Sequence, residues 1–277
     1  MATTITRKKT ASAGKGLALA AQLYTLRDHL AKPDQVPGTL RRVAKIGFRN
    51  VQLSGGCLMS MNPLELRGIL DDAGLKAVGH HTSYEQLSAE FDRVVDALHA
   101  LGIRYTAIAW CGESYRGSAA RWKKTAKLFS QMGQRLAAEG ITLQYHNHQF
   151  EFERFAGQVG LEILFGHSDP KYLQAELDTA WVAAGFQDPA AWISRLKGRV
   201  DQIHAKDIQV ASVEYASETR VMEVGRGALD WPGILAACRK AGVRDILIEQ
   251  DGNFMGGDPF KSLAASFNYL SGLLNAQ

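Results

Sequence analysis

Three pairs of side chains in this sequence set imidazole, carboxylate or ammonium groups two residues apart: His146 with His148, Glu176 with Asp178, and His204 with Lys206. A spacing of two puts both members of a pair on one face of a β-strand. Asp178, His204 and Glu249 fall in separate apolar runs, each where its run gives way to polar residues. One histidine at a strand end is most often a hydrogen-bonded structural group, and Lys206 alone would extend its ammonium to water. Asp178, His204 and Glu249 together at one rim make a ligand set for a single divalent ion. Imidazole and carboxylate donors without a thiolate suit Mn²⁺, Mg²⁺, Zn²⁺ or Co²⁺, with Mn²⁺ the first choice, and disfavour copper. An ion with an open coordination position acts as a Lewis acid on a carbonyl or hydroxyl oxygen.

Bringing these residues together requires a repeated scaffold. Short apolar runs cover Gly16–Tyr24, Asn50–Ser54, Lys76–His81, Tyr105–Trp110, Ile141–His148, Tyr172–Asp178, Val200–Asp207 and Asp245–Asp251. Stretches with helical spacing follow at Pro37–Ile46, Pro63–Ala73, Tyr84–Leu101, Ala119–Glu139, Gly160–Phe165, Pro189–Leu196, Trp231–Ala241 and Pro259–Leu274. Several helices end alike, as in Leu101-Gly102-Ile103 and Ala241-Gly242-Val243: glycine closes the last turn and an apolar residue begins the return to the sheet. Alternating β and α elements without a long linker imply a parallel sheet wrapped by helices. Eight units, and no G-x-G-x-x-G after the first strand, favour a closed (β/α)₈ TIM barrel in one domain, residues 16–277, over an open doubly wound sheet. Active sites of such barrels sit at the carboxyl ends of the strands. Here those ends are polar, among them Gln52-Leu53-Ser54, His80-His81-Thr82, His146-Asn147-His148 and Glu249-Gln250-Asp251.

Composition narrows the function classes. A chain of 277 residues with 46% hydrophobic and 22% charged residues can bury one large core. Much of the +4 net charge comes from Arg7, Lys8, Lys9 and Lys15, so residues 1–15 read as a disordered basic tail and the remainder is near neutral. Without a basic cluster on the folded part, nucleic acid is not an expected partner. Cys57, Cys111 and Cys238 are odd in number and form no C-x-x-C, which argues against a disulfide framework and for a reducing, cytoplasmic setting. No run approaches eighteen apolar residues, so no membrane span is expected, and the run from Leu17 to Leu23 is too short and too interrupted for a signal peptide. Gly55-Gly56 and Gly256-Gly257 lack the spacing of a phosphate-binding loop, which favours an unphosphorylated substrate. Self-association is left open.

The segments Gln22–Asp28, Tyr145–Phe152, Leu177–Trp181, His204–Asp207, Glu223–Gly227 and Ile248-Glu249 resemble the xylose-isomerase-like TIM barrels. That family of sugar phosphate isomerases and epimerases also contains inosose dehydratases and endonuclease IV relatives. The resemblance runs from Gly16 to Leu274 and implies one divalent ion held by Glu, Asp, His and Glu from four strands. Three of those places match Asp178, His204 and Glu249. In the fourth, many members carry a glutamate followed by Asn and His, and this sequence has His146-Asn147-His148. His146 is then the expected fourth ligand, with Glu151 from the following loop as the alternative.

The chemistry implied is removal of a proton beside a carbonyl of a keto-sugar or related polyol, with the ion stabilising the enediolate. Many family epimerases pair two metal-bound glutamates as bases, whereas the His146-Asn147-His148 segment is similar to members that dehydrate or β-eliminate. Isomerase or epimerase is the family expectation, and a lyase acting on a keto-glycoside or keto-inositol is its alternative. His148 is the expected base, a neutral imidazole being suited to that task. Lys206 would hydrogen-bond an oxyanion or hydroxyl, and Glu151 would orient a histidine or act as the acid. His81, Trp110, Trp181 and Phe254 are the expected carbohydrate contacts. A phosphodiesterase like the endonuclease IV branch would need several ions and a basic surface. A barrel that binds sugar without catalysis is the reading from another class, separable by metal content and isotope exchange at a substrate α-carbon.

Overall fold

A computed structural model describes residues 16–213 and 216–276; the basic tail at residues 1–15 lies outside the described residues. The barrel strands are β1 Ala18–Gln22, β2 Asn50–Leu53, β3 Lys76–Thr82, β4 Tyr105–Ile108, β5 Thr142–His146, β6 Leu173–Asp178, β7 Val200–Ala205 and β8 Asp245–Ile248. Neighbours in sequence pair in parallel, and β8 closes the ring on β1 through Ala18 opposite Asp245 and Leu19 opposite Ile246. The expected (β/α)₈ barrel is therefore the fold.

The joints expected from the glycines form as written. Gly102 and Gly242 adopt φ of 69° and 86°, and the next residues, Ile103 and Val243, return their N–H groups to Leu98 and Cys238. Glycine takes this left-handed conformation without a Cβ penalty. Helix starts are capped by side chains: Asn62, Asp188 and Asp258 each accept a backbone N–H just ahead of a proline in the first turn.

Alternation along each strand divides the chemistry. Outward residues such as Val51, Leu53, Ile108, Leu143, Leu177, Ile203, Ile246 and Ile248 are buried against Leu40, Val43, Leu98, Phe129, Leu136 and Leu235 of the helices. Each large aliphatic chain fully buried there contributes about 1.5–3 kcal/mol. The inward positions carry Gln22, Gln52, Gln144, Glu176 and Gln202, all without solvent exposure, in place of branched aliphatic layers. They are tied together: Gln22 Nε2 donates to Gln52 Oε1 at 2.7 Å and Gln52 Nε2 to Glu176 Oε2 at 2.5 Å.

Three features depart from the elements expected. The stretch 84–101 is two helices, Tyr84–Ala89 and Phe91–Leu101, because Glu90 at φ −134° and ψ 38° breaks the helical backbone. A one-and-a-half-turn helix, Thr179–Ala184, starts directly at the end of β6. The strand run expected to end at Asp207 instead ends at Ala205, and Asp207 opens an antiparallel ribbon, Asp207–Val213 with Ala216–Met222. Asp207 holds the base of this excursion. Its carboxylate accepts the N–H groups of Ile208, Gly225, Gly227 and Leu229 and the Trp231 indole N–H. A Cβ at Gly227 would lie 2.2 Å from Asp207 Oδ1, so only glycine fits that approach.

Candidate metal centre and active site

Asp178 ends β6, His204 is the last residue but one of β7 and Glu249 directly follows β8, and their donor atoms come within 4.8 Å of one another. Asp178 is fixed from both sides. Its N–H donates to Asn147 Oδ1 at 3.0 Å, and its Oδ1 caps the helix Thr179–Ala184 by accepting Trp181 N–H at 3.0 Å. This leaves Asp178 Oδ2 buried and turned toward the mouth, 4.0 Å from His204 Nδ1. Glu249 Oε2 lies 2.8 Å from the same nitrogen. Thr179 Oγ1 donates to the Lys206 carbonyl at 2.7 Å, stitching the end of β6 to the chain leaving β7.

The other edge of His204 is committed to protein. Its Nε2 lies 2.8 Å from Gln52 Oε1 and 3.1 Å from Glu176 Oε1. Donation there leaves Nδ1 to face Asp178 and Glu249. Such an outer carboxylate fixes the tautomer and raises the basicity of a metal-ligating imidazole. Burial works against charge on His204, but Glu176 and Glu249 outweigh it and raise its pKa to about 10. Glu176, despite its burial, is held down to about 2 by His204 and His81.

Lys206 extends along the mouth into this centre. Its Nζ lies 3.1 Å from Asp178 Oδ2 and 2.8 Å from both Glu249 Oε2 and Asp251 Oδ2. Desolvation favours the neutral amine, yet the carboxylates of Asp178, Glu249 and Asp251 outweigh it, so the pKa rises and Lys206 stays protonated. The ammonium thus lies between two of the carboxylates that, with His204, would hold a divalent ion. Oxygen and imidazole donors that converge without a thiolate fit a hard or borderline divalent cation.

The remaining expected residues divide between the mouth and its surroundings. His146 is buried, with an Nδ1 that has no hydrogen-bond partner and lies 3.7 Å from Glu176 Oε1; it groups with His81, Glu176 and His204 rather than with Asp178 and Glu249. His81 Nε2 pairs with Glu176 Oε1 at 2.6 Å. His148 stacks against Trp181 at 5.7 Å and meets Trp110 edge-on at 5.0 Å. Burial, reinforced by the Lys206 charge, lowers its pKa to about 3, so it is a neutral imidazole. Glu151 does not reach the mouth. Tyr145 points outward from β5, and Glu151 follows it behind the wall, accepting from Tyr145 Oη at 2.6 Å and from His148 N–H at 2.9 Å. Burial raises its carboxyl to about 8. Phe254, half-buried, has no ring contact with Trp110, His148 or Trp181. Glu176, Gln52 and Asp251 stand among the polar strand ends read from the sequence but carried no assigned role there; the structure ties all of them to His204 or Lys206.

A closed barrel with carboxylates and histidines at its carboxyl rim defines a class, and comparison with known proteins narrows it. The family model of the xylose isomerase-like TIM barrel matches residues 40–253, and the chain belongs to that enzyme family. Inosose dehydratase of Lacticaseibacillus casei is 23% identical over 217 residues, which span 69% of this chain and 72% of that one. A solved sugar phosphate isomerase/epimerase from Parabacteroides distasonis superposes with a TM-score of 0.78 at 23% identity, covering 94% of this chain and 95% of that one. The structure of an L-ribulose 3-epimerase covers 94% and 95% with a TM-score of 0.70 at 14% identity. No helix among the described residues is long and apolar enough to cross a membrane.

Proposed function

We propose that this protein is a divalent-metal-dependent lyase that removes the proton beside the carbonyl of a keto-sugar or keto-polyol and expels the oxygen substituent one carbon further on. The observation that carries the reading is an unequal pair of proton carriers against one ring. His148 stacks on Trp181 as a neutral imidazole, and the Lys206 ammonium lies 5.1 Å from the same ring centroid. An imidazole with an unpartnered Nδ1 can accept a proton and an ammonium against the same ring can donate one, which is the demand of an elimination.

Asp178 Oδ2, His204 Nδ1 and Glu249 Oε2 would hold the ion, with Mn²⁺ the favoured metal; His146, unpartnered at Nδ1 and 4.3 Å ring to ring from His204, would have to turn from the Glu176 side to become the fourth donor. When bound, the ion supplies Lewis-acid stabilisation of negative charge on the substrate carbonyl oxygen. His148 takes the α-proton. Lys206 gives a proton to the departing oxygen and is reprotonated through Asp251, the partly exposed member of its carboxylate partners. Glu151, through the His148 N–H, fixes the loop that carries the base. Trp181 and His81 bound the space for the reacting ring. The inosose dehydratase relatives agree with an elimination.

Epimerisation is the second reading, because an ionised Glu249 stands in the same mouth as His148 and offers another base. Incubating the Mn²⁺-loaded protein with an inosose and with methyl 3-keto-β-D-glucopyranoside in D₂O separates the two. Elimination gives an absorbing enone and free water or methanol. Epimerisation returns an inverted sugar carrying one deuterium, and retention of the α-hydrogen on both probes would sink the proton-abstraction reading.

A further inference from the structure

A line of rings leads from the charged centre to the solvent. Lys206 Nζ adjoins Trp181, Trp181 stacks on His148, and His148 lies parallel to Phe150 at 5.6 Å and an interplanar angle of 5°. Trp110 stands at 77° to both His148 and Phe150, at 5.0 and 5.1 Å. The Arg116 guanidinium covers Phe150 at 4.1 Å and is anchored by Nε donating to the Cys111 carbonyl at 3.0 Å. Exposure rises along the line, from 1% at Lys206 to 54% at Trp110. A tryptophan retained for packing would be covered. This one presents its ring beside the proposed base, next to the Arg116 guanidinium, whose Nη2 lies 3.9 Å from the exposed carboxylate of Glu113.

Resting on the lyase reading above, we propose that Trp110, Phe150 and Arg116 form a leaving-group subsite, and that the substrate is a keto-glycoside whose leaving group carries a ring. A departing hydroxide would touch none of the three. A ring-bearing alkoxide bonded to the carbon beyond the α-carbon would lie past His148 against the Trp110 face, where an apolar sugar or cycloalkyl face stacks on an aromatic one. The step balances without a redox partner. His148 removes the proton at C2, the C2–H electrons form the C1–C2 double bond, the C1–O bond breaks, and the alkoxide takes a proton from Lys206 to leave as the alcohol.

The test compares methyl and cyclohexyl 3-keto-β-D-glucopyranosides, whose alkoxides differ little in basicity, with the Mn²⁺-loaded protein. The parent is expected to favour the cyclohexyl compound in kcat/KM by about tenfold, the scale of one to two aromatic contacts. Trp110→Ala should erase that preference mainly through KM, and Trp110→Phe should keep part of it. Equal handling of the two glycosides by the parent, or an equal fall on both in Trp110→Ala, overturns the subsite while C2 exchange in D₂O leaves the lyase reading standing. Absence of C2 exchange on either compound removes the reading and the subsite together.

Discussion

Replacing Lys206 by methionine tests the reading that, in the metal-free protein, this ammonium neutralises two of the carboxylates that would hold the ion. Lys206 is 1% exposed and contacts Asp178, Glu249 and Asp251 at 3.1, 2.8 and 2.8 Å. Methionine keeps most of the chain length and removes the charge. Breaking a buried ion pair from one side destabilises by about 3–5 kcal/mol because the other charge is left uncompensated. For a domain of this size each kcal/mol moves Tm by about 2–4 °C, so the metal-free variant should melt about 6–20 °C below the parent. Added Mn²⁺ should then raise the variant's Tm by more than it raises the parent's, since it supplies the missing counter-charge and meets no competing ammonium. Calorimetric melts of chelator-treated protein with and without Mn²⁺, with titration of the ion by isothermal calorimetry, give both numbers. A metal-free Lys206→Met that melts with the parent, or a metal-induced rise no larger than the parent's, would refute the reasoning.

Other outcomes follow from the same geometry. His148→Ala should keep its metal and lose turnover by about 10²–10⁴-fold, the range for a lost general base, whereas His146→Ala should lose metal on elemental analysis; full metal in the latter would remove His146 from the ligand set. His204, raised to about 10, must release a proton when Nδ1 binds a metal, so affinity should tighten about tenfold per pH unit between about 6.5 and 8.5, and a pH-independent Kd would contradict it. In the metal-free protein the stability that His204 contributes is fully present below pH 6.5 and lost as pH rises through about 10. Glu151 has the opposite burden: its carboxyl is raised from 4.5 to about 8, so from pH 4.5 upward the unfolded chain ionises first and the fold is penalised, by about 3 kcal/mol at pH 7. Glu151→Gln should therefore raise Tm at pH 7–8 and leave it nearly unchanged at pH 4, and a lower Tm at pH 8 would show that the ionised carboxylate is the stabilising form.

The barrel was legible because its signals are local and repeated: an apolar run, a helix of matching period, a glycine joint. The rim was legible for the same reason, since period two alone puts Asp178, His204 and His146 on the inner face of their strands. What the sequence did not display depends on distance. Glu176 shares a face with Asp178, but that it braces the far nitrogen of His204 follows only from the pairing of β6 with β7. The alternation that sends His146 inward sends Tyr145 outward, and Glu151 goes with Tyr145, a result of a turn that spacing does not fix. The triple pairing of Lys206 with Asp178, Glu249 and Asp251 joins three strand ends, and its geometry exists only after the ring has closed. The Asp207–Met222 ribbon was absorbed into a strand end because its first residue continues the polar rim.

Asp207 gives that ribbon a property of its own. One carboxylate receives the amide that enters the excursion and the amides that leave it, so the two ends are pinned together whatever lies between them. A change within the intervening chain meets this clamp before it reaches Lys206, the residue before Asp207, or His204, three residues before it. The arrangement makes the ribbon a cassette for a designer: a hairpin grafted between Ile208 and Gly225 would be held by the same carboxylate, and the cluster of Asp178, His204 and Glu249 would keep its scaffold.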